Sequence, residues 1–196
     1  MPILDYLNKI LTYQIQLKHP VISLLQPGLS EREILLKTSL IPIQIPREMI
    51  NLYMWRNGTL APESSTLGDM QFFYGYHLCS LEEALLSFQE GYSIWQKFYK
   101  MEFCSLFEDG AGGCCGVIPN QDSLVSPVIQ ITELGKNIIY SNLTKMMETI
   151  ASCYENGVFW IGQNGYLDAD LKKYGDIALR LNPEIEYWQK RVKGEI

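Results

Sequence analysis

Imidazole is the side chain best suited to move protons near neutral pH, and this chain of 196 residues has only His19 and His77. His19 stands before Pro20 at a helix break, which predicts a solvent-facing ring. His77-Leu-Cys79 puts an imidazole and a thiol on one face of an extended segment, as a thiol nucleophile would require. Nucleophile and base normally converge from separate segments, however, so the expected reading is a buried structural thiol beside a turn histidine. Gly110-Ala-Gly-Gly-Cys-Cys-Gly116 fails the G-x-G-x-x-G spacing because Cys115 occupies the third glycine site. The Val-Ile-Pro that follows does not open a helix whose N-terminus could hold phosphate. Asp168-Ala-Asp170 and Glu108-Asp109 offer oxygen ligands without the spacing of a calcium loop. Together these residues predict no enzyme, no cofactor and no metal centre.

At 47% hydrophobic residues the chain is long enough for one well-buried core and short for two. No apolar run approaches the length of a spanning helix, and the N-terminus lacks the basic and small-residue pattern of an export signal. Cys79, Cys104, Cys114, Cys115 and Cys153 are odd in number and contain no C-x-x-C pair. That usage predicts reduced, buried thiols in a cytoplasmic protein. Asn57-Gly-Thr and Asn142-Leu-Thr match the glycosylation pattern, but helix-cap chemistry already explains both asparagines.

The charge is uneven. Residues 61–135 hold ten acids against Lys97 and Lys100, a balance of −8, while residues 1–60 come to +2 and residues 136–196 to zero. An acidic middle argues against nucleic acid, whose recognition needs lysine and arginine to replace condensed counterions. It favours a basic protein partner, or serves as a solvated surface.

The elements that position these groups follow from periodicity and caps. Residues 3–18 repeat apolar side chains at helical spacing. A short helical piece precedes the turn at Pro27-Gly28, and Ser30-Glu31-Arg32-Glu33 is a capping box for a helix to about Leu40. The chain is then organised around Ile41–Gly58, a short helix with Pro46 at its first position, carrying Tyr53 and Trp55 and leaving through Asn57-Gly58. Residues 60–69 read as a loop and 70–75 as a strand. Ser80-Leu-Glu-Glu83 opens the longest helix, about 81–100, with Leu81, Leu85, Phe88, Tyr92, Trp95 and Tyr99 on its inner face. Strands are expected over 103–107, 114–118, 127–132 and 136–140. Asn142 then caps a helix ending at Asn156-Gly157, and two helical pieces follow around 168–180 and 183–193, with Pro183 in the first turn of the second.

The order of these signals resembles a known family. Trp55-Arg-Asn-Gly58 ends the proline-led helix, a strand follows, and Leu78-Cys-Ser-Leu-Glu-Glu-Ala84 is similar to that family's "L-x-S-L-E-E-A" helix start. Leu106-Phe107 leads into a glycine-rich turn, and Pro127-Val-Ile and a capped helix complete the series. Over roughly residues 35–156 the chain resembles the SUKH superfamily, which includes fungal cell-wall-synthesis regulators and bacterial immunity proteins. It departs from the family at Cys114-Cys115, where members often carry an acidic residue and an aromatic.

The resemblance implies a single α+β domain, mainly an antiparallel sheet packed against helices, with a core over 41–157; the helical extensions over 1–40 and 158–196 are expected from the periodicity and caps alone. It also implies work by binding proteins: an immunity protein that neutralises a cognate toxin, often a nuclease, or alternatively an intracellular regulatory or scaffold module of the cell-wall and signalling type. The binding surface is expected on the rim of the glycine-rich turn, at Glu102, Glu108, Asp109 and Asp122, because recognition residues concentrate on loops that flank strands.

Overall fold

A computed structural model describes residues 1–39, 41, 44–90, 98, 103–118 and 125–196. The domain is α+β. Its centre is a six-stranded antiparallel meander of β3 (Gln71–Phe73), β4 (Tyr76–Leu78), β5 (Cys104–Glu108), β6 (Cys114–Val117), β7 (Val128–Thr132) and β8 (Gly135–Tyr140), in the spatial order of the chain. Side chains alternate across the sheet, so the adjacent cysteines part company. Cys115 enters the main core, while Cys114 joins Phe103, Ile129 and Ile131 on the other face. An irregularity in register between Ser105 and Phe107 lets Leu106 and Phe107 both lie in the main core.

The N-terminal helices belong to that same core. Leu7 and Ile10 of α1 (Ile3–Gln16) are fully buried, and the helix lies against α7 (Leu143–Glu155). After α1, Lys18 adopts a positive φ of 54°, and the chain turns back through α2 (Val21–Leu24) into β1 (Leu25–Pro27). The reversal buries His19, which is only 2% exposed, so the expectation of a solvent-facing ring is corrected. The backbone N–H of Val21 donates to its Nδ1 at 3.0 Å.

α3 (Glu31–Thr38) has the expected capping box. α4 (Arg47–Trp55) begins one residue later than predicted, because Pro46 is extended and forms the N-cap. Its other end differs more. The chain passes directly into β2 (Arg56–Thr59), which pairs antiparallel with β1, and Asn57-Gly58 is no helix exit. Asn57 instead serves the start of α6 (Leu81–Glu90), accepting from the Leu81 N–H at 2.9 Å and donating to Glu82 at 3.3 Å. Ser80 and Glu83 complete the reciprocal cap there. The first turn of a helix leaves orphan N–H groups, and two segments share the task of satisfying them. Asn57→Ala should therefore cost about 1–2 kcal/mol in urea unfolding; an unchanged midpoint would remove Asn57 from the capping role.

Apart from Phe98, the remaining residues of the predicted 81–100 helix, Tyr92, Trp95 and Tyr99 among them, lie outside the described residues. α5 (Leu67–Met70) forms at the end of the stretch expected to be a loop and takes in Met70, expected to open the strand, under a reciprocal cap of Thr66 and Asp69. Asn142 caps α7 through the Lys145 N–H at 2.8 Å, and Glu48 of α4 accepts from the N–H groups of Leu143 and Thr144, each at 3.1 Å. A carboxylate at this position also complements the helix dipole. Beyond α7 lies a hairpin that periodicity did not reveal, β9 (Phe159–Ile161) with β10 (Leu167–Ala169). α8 (Leu171–Leu181) and α9 (Glu186–Lys193) follow, with Ile185 as the N-cap of α9, so Pro183 precedes the helix instead of standing in its first turn. Trp188 of α9 donates to the Ile139 carbonyl at 2.6 Å and binds the C-terminal helices to the sheet. Among the described residues, no helix is long and apolar enough to cross a membrane.

Candidate functional site

The glycine-rich turn between β5 and β6 is held by Asp109. Its Oδ1 accepts from the N–H groups of Ala111 at 2.7 Å and Gly113 at 2.8 Å, and its own N–H donates to the Gly113 carbonyl. Gly110 and Gly112 take positive φ, and a Cβ on Gly113 would stand 2.2 Å from Asp109 Oδ2. The carboxylate is thus part of the turn's framework. Glu108, one residue earlier, is half-buried and points to the other face of the sheet. Glu102 and Asp122 lie outside the described residues.

The turn does not stand alone. The Leu67 side chain closes on Gly110, and the ring of Tyr166 lies over Gly68, so close that a Cβ there would be 1.9 Å from the ring. The turn, α5 and the tip of the β9–β10 hairpin therefore form one ledge. Its apolar side chains are open to solvent, with Leu67 53% and Tyr166 39% exposed. A cavity of about 240 Å³ lies between the meander and α8–α9, with Asp109 of the turn, Tyr76, Tyr174, Tyr187, Trp188 and Arg191 in its wall. Gln130 donates to the Tyr76 hydroxyl at 2.9 Å, and the hydroxyls of Tyr140 and Tyr174 are paired at 2.9 Å. Arg191 reaches the Tyr187 hydroxyl at 3.2 Å. The cavity's one thiol, Cys115, is held protonated by burial, and no histidine lines the space among the described residues. Such a wall can enclose an inserted side chain; it offers no activated nucleophile.

On the opposite face of the sheet, the register of β4 with β5 sets His77 beside Glu108, and Cys79 completes a group whose donor atoms lie within 4.8 Å of one another. Burial raises the Cys79 thiol well above its ordinary range, raises the Glu108 carboxyl and lowers the His77 imidazole. Glu83 and Asp109 add negative potential that raises Glu108 further. The pairing of His77 with Cys79 was visible in sequence, whereas the arrival of Glu108 from 31 residues away depends on strand register. The cavity wall from α8 and α9 also escaped sequence reasoning. The only available signal was Tyr187-Trp188 followed by Arg191, a helical spacing that ordinary core packing explains equally well.

No protein-family model matches the chain, and no curated protein matches it.

Proposed function

We propose that this chain is a non-catalytic protein-binding domain of SUKH type, an immunity protein that neutralises a basic, nuclease-like toxin by direct contact. The observation that carries the reading is the ledge of glycine-rich turn, α5 and hairpin, with Leu67 and Tyr166 exposed on it, together with an aromatic-walled cavity that shares Asp109 with the turn. Interfaces characteristically draw their energy from apolar and aromatic anchors seated in pockets. The segment 61–135, which contributes the turn and α5, carries the excess of acids. Complementary charge of that kind speeds encounter with a basic surface and discriminates among partners. The five cysteines are free and buried, which favours a reducing cytoplasm as the setting.

The test is co-purification with the product of the adjacent gene, followed by binding kinetics and rescue of cells from that product's toxicity. A single stoichiometric partner that survives high salt is expected. Leu67→Glu should weaken it at least about tenfold, equivalent to about 1.4 kcal/mol, while leaving the fold intact because the side chain is already exposed. Asp109 is unsuited to charge reversal, since lysine there would disrupt the turn. Several salt-labile partners, with no toxicity to rescue, would replace the immunity reading with a regulatory or scaffold module.

A further inference from the structure

We propose that His77, Cys79 and Glu108 form a binding site for a zinc-type divalent cation, on the face of the sheet opposite the cavity and independent of the protein-binding reading. The donors are an imidazole nitrogen, a thiol sulfur and a carboxylate oxygen, all within 4.8 Å of one another, and this is the one such group among the described residues. Tetrahedral zinc, with bonds of about 2.0–2.3 Å, needs donors separated by roughly 3.5 Å. Side-chain rotation can supply that contraction, because His77 and Glu108 sit opposite each other on neighbouring strands and Cys79 follows two residues after His77.

The donor set is selective. Nitrogen and sulfur ligands disfavour calcium and magnesium, which prefer oxygen, and suit zinc and its borderline neighbours. The charge balance agrees: a bound thiolate and carboxylate beside a neutral imidazole amount to −2, matched by a dication. Among the described residues no lysine or arginine forms an ion pair with Glu108, so the negative potential from Glu83 and Asp109 lacks a cationic answer there. A second observation points the same way. Ser105 is 1% exposed on the same face, and its hydroxyl oxygen has no hydrogen-bond partner among the described residues. Buried polar atoms are seldom left unpartnered, and a metal-bound water on this face would supply the missing partner.

The full chain, freed of metal by a chelator, is titrated with Co²⁺ and then with Zn²⁺. The expected result is a near-ultraviolet thiolate-to-cobalt charge-transfer band that saturates at equal molarity and is displaced by zinc. Cys79→Ser should abolish the band, which separates this site from the other four thiols. Glu108→Gln and His77→Gln should each weaken binding at least about tenfold. Circular dichroism and melting temperature in chelator establish that each variant is folded. If Cys79→Ser does not fold, the other two variants decide. Absence of the band in the unaltered chain, or full affinity retained by both Glu108→Gln and His77→Gln, overturns the proposal.

Discussion

Replacing Gly58 by alanine is expected to remove about 2–5 kcal/mol of stability, a large part of what a domain of this size possesses. Two effects combine. Gly58 holds a φ of +87°, a region that costs a side-chain-bearing residue roughly 1–2 kcal/mol. A Cβ there would also stand 2.6 Å from the Ser80 nitrogen and 2.7 Å from the Ser80 Cα. Backbone atoms at the start of α6 cannot turn aside as a flexible side chain would. The contact must separate β2 from the β4–α6 junction, carrying Asn57 away from the Leu81 N–H. Gly165 provides the control. Its φ is +81°, but nothing lies within 4 Å of its would-be Cβ, so Gly165→Ala should show only the backbone cost of about 1–2 kcal/mol. Equal losses in denaturant unfolding would mean that close approach to Ser80 contributes nothing.

The second large effect is on the acid side of the stability curve. Burial lowers the His19 imidazole from 6.5 to about 4, although the nearby Asp69 carboxylate pulls the other way. The Val21 N–H donates to Nδ1, so in the folded chain that nitrogen is unprotonated and the neutral ring carries its hydrogen on Nε2. Protonation would destroy the Val21 bond and leave a buried charge. Between pH 6.5 and about 4 the unfolded chain binds this proton more readily than the folded one. The stabilising contribution is therefore complete above 6.5, declines as pH falls through the interval, and changes no further below about 4. Its size is at most about 3 kcal/mol. His19→Asn retains an acceptor that can reach the Val21 N–H and has no titrating ring. Urea unfolding of both proteins at about pH 7.5 and about pH 5 should show a steeper loss for the unaltered chain. Parallel losses would locate the acid sensitivity elsewhere.

His19 also illustrates the boundary of local inference. His-Pro correctly marks a helix break, because the residue before proline is driven from the helical region. Whether the broken chain then faces water depends on where it returns. Here the chain turns back into α2, which packs against α1 and α5, and the ring is buried. The Ser30/Glu33 and Ser80/Glu83 caps were legible because both partners lie within one turn of helix. The Thr66/Asp69 cap has the same geometry but an aspartate in place of glutamate, inside a stretch that composition assigns to a loop. The hairpin over 159–169 has strands of only three residues, too short for alternation to register, although Asn164-Gly165 is a turn signal.

Residue types and short-range spacing determined the α+β class, five strands of the meander, the capped helices and the buried character of the thiols. Each depends on interactions within a few residues or on the preference of apolar side chains for a dry interior. Tertiary structure alone decided that Asn57 caps a helix 24 positions away, that Glu108 meets His77 and Cys79, and that α8 and α9 wall a cavity beside the glycine-rich turn. Those contacts arise from strand register and from which segment covers which face. A linear sequence states which groups seek burial or a hydrogen-bond partner, but many partners can satisfy each one, and only the simultaneous packing of all segments selects among them.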